Sequence, residues 1–462
     1  MSKLILVSNR LPIEVSGAAD KPVIKPGSGG LASAVGRLSK KKQASWVGYL
    51  GNAHSQAVIA AAHANHYYPV DIPPAVYKSY YNHFSNRVLW PILHGLEPYG
   101  DPSIGWEDYA AANRAFADEV VRIAEPDDII WVHDYHLFML PKLLRQRGLN
   151  NKIGFFLHTP FPAGTFFTDN LFGRKLLRSL TMADTIGVQT TRYLDRLNIA
   201  FRNLGAKVNY ATRSISLLGR SVITSAFPIG IDYRYFNRRP EPAPGFKERL
   251  QPRSGARLML ALSRLDYTKG IPQLLDAIGQ LAADPATAGR FTLLLVVIPS
   301  RETQPEYQNL KRKIERRVTA LNAKYAQPGW RPVEYLYGSL NRDQLLATYR
   351  QADIMLNTPI ADGMNLVAKE YLAANTRGIL ILSREAGAAD QLSEALLVDP
   401  NDPADIARVA RRALDMGPAS AAGRRLRRIV RQQNVYTWAD DFLTTLAPDP
   451  EPVTASASTD SR

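Results

Sequence analysis

The run Asp362-Gly363-Met364-Asn365-Leu366-Val367-Ala368-Lys369-Glu370-Tyr371 follows an apolar segment, 353–357, and a Thr358-Pro359 turn. A polar, glycine-containing turn that opens a helix presents free backbone N–H groups and the positive end of the helix dipole, which suits a diphosphate. Glu370 falls on that helix, where its carboxylate can accept from two adjacent ribose hydroxyls. Asp362 stands at a strand end, where a sugar hydroxyl can be gripped. The competing reading is that Asp362 only caps the helix and Glu370 faces water. In Ser263-Arg264-Leu265-Asp266-Tyr267-Thr268-Lys269-Gly270, Arg264 and Lys269 are spaced to neutralise a leaving diphosphate, work that other transferases give to a divalent ion. Taken alone, they read equally well as two solvated loop cations.

Four further runs belong to the first half of the chain. Ser8-Asn9-Arg10 ends an apolar run, and Arg10 can pair with a phosphate bidentately; Gly27-Ser28-Gly29-Gly30-Leu31 permits close backbone approach to a ligand or simply starts a helix. Trp131-Val132-His133-Asp134-Tyr135-His136 and Phe156-Leu157-His158-Thr159-Pro160-Phe161-Pro162 each lead an apolar run into a polar turn. Asp134 and His158 are then sugar-hydroxyl partners or satisfied core groups. His133 with His136, and His63 with His66, have metal-like separations but no third ligand in view, so no metal is expected.

Strands must carry these turns. Short β-branched runs followed by longer amphipathic patterns recur along the chain, the pattern of βα units around parallel sheets. Strands are expected at 4–8, 128–133, 153–158, 185–189, 258–262, 292–298, 353–357 and 378–383. At 462 residues the chain is too long for one core. A Pro- and charge-rich stretch, 237–245, marks a boundary between domains 1–235 and 236–447, and residues 448–462 read as a disordered tail. The longest apolar runs fall far short of the roughly 20 residues that span a bilayer, so no membrane partner is expected. The N-terminus reads as a first strand rather than a signal peptide, which points to the cytoplasm. With no cysteine, thiolate catalysis and disulfides are excluded. The formal charge of +15 invites a nucleic-acid reading. Its densest stretch, Arg424 to Arg431, alternates with apolar residues as the solvated face of an amphipathic helix would, so no nucleic acid is expected and steering of small anions is.

Taken together, the runs resemble the trehalose-6-phosphate synthase family of retaining glycosyltransferases from Lys3 to about Leu446. They include Tyr80-Tyr81-Asn82-His83-Phe84-Ser85-Asn86, Leu89-Trp90-Pro91, Pro228-Ile229-Gly230-Ile231-Asp232 and Pro299-Ser300-Arg301 besides those above. The resemblance implies an α/β GT-B fold: two Rossmann-like, doubly wound parallel-sheet domains facing a central cleft, with the last helix free to return to the N-terminal lobe. It implies transfer of glucose from UDP-glucose to glucose 6-phosphate without a cofactor, by front-face substitution in which a UDP oxygen helps deprotonate the acceptor.

By the same resemblance, Arg10, Tyr81, Trp90 and Arg301 form the acceptor pocket, and Asp134 holds acceptor hydroxyls near the reacting centre. His158, Asp362 and the backbone of Gly363, Met364, Asn365, Leu366 and Val367 hold the donor. Gly30 lines the diphosphate, Arg264 and Lys269 stabilise departing UDP, and Glu370 binds ribose. Three departures stand out: Ala163-Gly164-Thr165-Phe166-Phe167 where a Ser- and Glu-containing helix start is usual, Asp390 where Glu is common, and no Asp-x-Asp-x-Thr phosphatase motif. Other readings stay open: a sister synthase with another acceptor such as glycerol 3-phosphate, or a non-catalytic sugar-phosphate sensor. The sequence fixes neither the nucleotide nor the oligomeric state, and a homo-oligomer is admissible.

Overall fold

The computed structural model describes residues 3–18, 21–27, 35–36, 39, 42–51, 55–241, 245–246, 256–418 and 421–448. The first lobe contains β1 (Leu4–Arg10), β2 (Ile13–Ala18), β3 (Lys21–Pro26), β4 (Ser45–Tyr49), β5 (Tyr67–Pro69), β6 (Ile129–His133), β7 (Lys152–Phe156), β8 (Thr185–Val188), β9 (Lys207–Asn209), β10 (Ser214–Leu217) and β11 (Arg220–Ala226). Apart from the β2-β3 hairpin they form one nine-stranded sheet, ordered β5-β4-β1-β6-β7-β8-β11-β10-β9. Pairing is parallel from β5 to β11, and β10 and β9 then add antiparallel. The second lobe holds β12 (Arg257–Arg264), β13 (Phe291–Ile298), β14 (Val333–Tyr337), β15 (Ile354–Asn357), β16 (Ile379–Ser383) and β17 (Leu396–Val398), ordered β14-β13-β12-β15-β16-β17 and parallel throughout.

Both sheets are doubly wound. The chain builds outward from the first strand in one direction, then crosses back and builds outward in the other, so the order reverses between β1 and β6 and again between β12 and β15. Strands buried on both faces explain the unbroken apolar runs: six of the seven β1 residues and all of β16 are buried. Ligands of such sheets bind beyond the carboxyl ends of the strands at the reversal. Arg10 and Asp134 lie at one reversal, and Arg264 and the turn to Asp362 at the other. The lobes face each other across a cleft, the GT-B arrangement. No helix among the described residues is long and apolar enough to cross a membrane.

The last helix, Val435–Leu446, lies on the first sheet although it follows the second. Phe442 stacks on Trp131 with ring centroids 4.6 Å apart, and Trp438 lies 4.9 Å from the same ring. A Cβ on Gly154 or Gly187 would come within 2.6 and 2.8 Å of the Phe442 ring, and close on Leu446 or Phe156 respectively, so these strands need glycine for the helix to seat. The basic helix Ala421–Gln432 is only partly the solvated face read from sequence. Leu426 and Val430 are buried. Arg427 donates to the carbonyls of Leu372, Ala373 and Asn375, closing the carboxyl end of the helix Leu366–Ala374. Of the proposed tail, 448–462, all but Pro448 lies outside the described residues.

Truncation at the fully buried Phe442 should leave a cavity between helix and sheet. Phe442→Ala is expected to cost about 3–5 kcal/mol, and Gly187→Val about 1–3 kcal/mol or more through overpacking. Urea unfolding midpoints check both, and a wild-type midpoint for Phe442→Ala would show that the helix does not hold the lobes together.

Candidate active site

Residues 78–89 wind as a wide π-helical segment, a form concentrated at functional sites, which runs into the short helix Trp90–Leu93. It turns Tyr81 between the rings of Tyr77 and His136, at centroid distances of 5.4 and 5.7 Å and near-parallel planes. Arg10 enters from β1: its Nε donates to Tyr77 Oη at 3.1 Å, and its guanidinium lies 5.2 Å from the Tyr81 ring centre. Arg301 enters from the turn after β13 with a positive φ of 50°, an uncommon conformation for a non-glycine residue. Its guanidinium sits 4.6 Å over the Trp90 ring and donates to Tyr307 Oη at 2.5 Å and to the Asp266 carboxylate at 3.5 Å. Arg264, at the end of β12, lies 6.0 Å from the same Trp90 ring.

Three guanidiniums from both lobes thus surround one phenol and one indole. The Tyr81 hydroxyl registers the field. Burial by itself raises its pKa, but Arg301, Arg10 and Arg264 together hold it below the ordinary tyrosine range. Arg301 Nε is buried without a partner. Such a cluster is built to bind an anion.

Beside it, Lys269 Nζ pairs with Asp362 Oδ2 at 2.8 Å, and Asn365 Nδ2 donates to the same oxygen at 3.2 Å. Asn365, not Asp362, caps the following helix: it holds φ 77°, and its Oδ1 accepts from Ala368 N–H at 3.0 Å. Asp362 is therefore left to bind something other than its own helix. Leu366 and Val367 form the first turn, where N–H groups lack intrahelical acceptors, while Met364 is buried beneath them. A Cβ on Gly363 would lie 1.9 Å from the His158 carbonyl oxygen, so only glycine lets the second lobe's turn press against the end of β7.

Asp134 follows β6 with φ 75° and ψ 167°, a conformation costing about 1–3 kcal/mol for a non-glycine residue. Its carboxylate accepts from His158 N–H at 3.2 Å. Burial pushes its pKa up to about 6, against the backbone N–H groups of Tyr135, His158 and Thr159 and the charge of Arg264. Burial holds His158 down to about 3, so its ring is neutral. Glu370 stands one turn farther along its helix, where its Oε2 accepts from Tyr349 Oη at 2.8 Å and burial raises it to about 7.

The residues singled out in the sequence therefore gather in two adjoining groups: Arg10, Tyr81, Trp90, Arg264 and Arg301, and then Lys269, Asp362, Gly363 and Asn365 with Asp134 and His158 against them. Gly30 lies outside the described residues. Asp266, Tyr135 and Tyr307, the partners that hold Arg301, were not assigned a role from sequence. Asp266 and Tyr135 lay within quoted motifs, and Tyr307 did not. Among the described residues no group of three or more His, Asp or Glu could hold a metal ion. The atypical loop Ala163-Gly164-Thr165-Phe166 lines a cavity of about 850 Å³ together with His94 and Ala361, next to the site but without Arg10, Tyr81 or Arg301 in its wall.

A profile of glycosyltransferase family 20 matches residues 2–448. The chain is 35% identical over 469 residues to the bifunctional trehalose-6-phosphate synthase/phosphatase of Thermoproteus tenax, covering 96% of this chain but only 63% of that protein. It is 35% identical to the UDP-forming α,α-trehalose-phosphate synthase 1 of Aspergillus fumigatus, covering 96% of this chain and 90% of the relative. In structure it is similar to a protein described as trehalose-6-phosphate from E. coli bound with UDP-2-fluoro glucose, at 31% identity and a TM-score of 0.85 over 97% of this chain and all of that one. It is equally similar to the UDP-forming α,α-trehalose-phosphate synthase of Burkholderia xenovorans in complex with glucose-6-phosphate, at 31% identity and a TM-score of 0.85 over 96% of this chain and all of that one. With a match that runs nearly end to end and strand-end residues that meet across one cleft, the chain belongs to glycosyltransferase family 20.

Proposed function

We propose that this chain transfers glucose from UDP-glucose to glucose 6-phosphate with retention, giving α,α-trehalose 6-phosphate and UDP. The observation that carries the reading is the convergence of Arg10, Arg301 and Arg264 on Tyr81 and Trp90, beside the Lys269–Asp362 pair. An anion-binding pocket faced with an indole suits a phosphorylated sugar: Arg10, Arg301 and the Tyr81 hydroxyl take the phosphate, and Trp90 takes a pyranose face. Asp134 orients the acceptor hydroxyl that reacts. Asp362, His158 and the 363–367 backbone hold the donor glucose, and Glu370 takes the ribose.

As the bond from the anomeric carbon to the UDP oxygen breaks, negative charge grows on the diphosphate. Arg264, Lys269 and the helix N-terminus at Leu366 offset it. The acceptor hydroxyl adds to the same face, and its proton passes to the departing UDP oxygen. The net charge of +15 steers two anionic substrates inward rather than holding nucleic acid. We place the reaction in the cytoplasm, where phosphorylated sugars are retained. The atypical 163–166 loop lines the neighbouring cavity, whose wall includes none of Arg10, Tyr81 and Arg301.

Two results test these roles. Charge-assisted hydrogen bonds are worth about 1.5–3 kcal/mol each, so Arg10→Ala and Arg301→Ala should each lower kcat/KM for glucose 6-phosphate roughly ten- to a hundredfold or more. Use of free glucose should hardly change. Equal losses for both acceptors would mean that these arginines shape the cleft instead of reading the phosphate.

The second concerns pH. Ribose hydroxyls donate to the ionised Glu370, so UDP binding draws Glu370 toward its deprotonated form, and affinity is lost as pH falls through about 7. Between pH 8 and pH 6 the wild type should lose up to about tenfold more UDP affinity than Glu370→Gln, a comparison that cancels the ionisation of UDP itself. Calorimetry checks it. Identical pH dependence in the two proteins would remove Glu370 from the nucleotide site.

A further inference from the structure

Gln189 caps the end of β8, fully buried, and belongs to none of the motifs read from the sequence. Its Oε1 accepts from Ile229 N–H at 3.0 Å. A backbone N–H can meet only the oxygen of an amide, so this bond settles which way the side chain faces. The Ile229 peptide is itself anchored, since its carbonyl accepts from the buried Lys369 Nζ at 2.6 Å. The Gln189 amide nitrogen consequently points at His158 Nδ1, 3.4 Å away.

We propose that Gln189 is a positioning residue for the donor sugar: it fixes His158 as a neutral imidazole with its proton on Nε2 and a bare Nδ1. An amide N–H facing Nδ1 leaves that nitrogen the acceptor. A neutral ring carries one proton, which then sits on Nε2 and is donated to His133 Nδ1 at 3.1 Å. His133 in turn carries its proton on Nε2, a buried nitrogen without a partner, between the rings of Trp131 and Trp438. The opposite tautomer would set two N–H groups against each other at Gln189. An imidazolium would do the same. Gln189 thus excludes both alternatives and sets what His158 presents to a sugar: a neutral ring held in one orientation, with its Nδ1 lone pair engaged by the amide and no free N–H.

This inference rests on the reading of His158 as a donor-sugar contact, and one pair of measurements separates the two. Long-range proton–nitrogen spectra of the full-length protein report the histidine tautomers, with His158→Gln used only to assign the signal. The wild type should show His158 protonated on Nε2 alone. Gln189→Glu replaces the donating amide with an accepting carboxylate and should move a proton onto Nδ1. The same variant should lower kcat/KM for UDP-glucose about tenfold or more while changing UDP affinity less than twofold. Gln189→Leu, which neither donates nor accepts, should keep the Nε2 proton and lose less activity.

A wild-type His158 protonated on Nδ1 would overturn the proposal even if every variant failed to fold. So would a Gln189→Glu variant with wild-type tautomer and turnover. A wild type that gives no product from UDP-glucose and glucose 6-phosphate, yet shows the expected tautomer, would instead overturn the functional reading beneath it.

Discussion

Four cations, Arg10, Arg264, Lys269 and Arg301, are held within one cleft and, among the described residues, meet three carboxylates, Asp134, Asp266 and Asp362. Like charges brought together away from bulk water repel strongly, and the fold has to offset that. Much of the architecture around the site does so. Asp266, 1% exposed, lies 3.5 Å from Arg301, and the Thr268 backbone N–H and hydroxyl fix the carboxylate from behind. Tyr77, Tyr307 and Tyr135 accept hydrogen bonds from the guanidiniums, and Trp90 and Tyr81 present ring faces to them. These aromatic partners carry no negative charge, so the excess of positive charge is preserved for a bound anion.

The cluster exists only because two lobes close on it. Arg301 and Arg264 come from the second lobe and Arg10, Tyr81 and Trp90 from the first, so the field at the pocket is a property of the interface. Gly363 against the His158 carbonyl, the Arg87–Glu306 pair at 2.9 Å and the last helix folded back over β7 and β8 set that interface. Doubly wound sheets supply the rest: each places its strand-order reversal at the cleft, and chemistry-bearing turns from distant parts of the sequence meet there.

The strands that carry the site were legible because each is buried on both faces and reads as a short apolar run ending on a polar residue. Asp134, His158, Arg264 and Asp362 follow from that pattern. β4, β9, β10, β11 and β14 were not expected: β9, β10, β11 and β14 are short or half-exposed and leave no such run, and in the fully buried β4 Ser45 and Gly48 interrupt it. The groups that tune the site were hidden for a different reason. Tyr135 meets Arg301 across 166 positions, and Gln189 meets Ile229 across 40. Neither pairing has a local signature, because it depends on how turns are brought together rather than on what surrounds each residue. Arg427 shows the opposite failure. It fits the periodicity of a solvated helix face, yet it closes another helix through three carbonyls.

The proposed phosphate-reading acceptor pocket and cation-stabilised leaving diphosphate make a single chemical claim: glucose moves between two anionic partners without inverting. The most direct measurement is the structure of the product formed from anomerically labelled UDP-glucose and glucose 6-phosphate, followed by proton and carbon NMR together with UDP release. One α,α-linked, singly phosphorylated disaccharide for each UDP would agree with the account. A β linkage at the transferred glucose, or UDP released with free glucose alone, would contradict it.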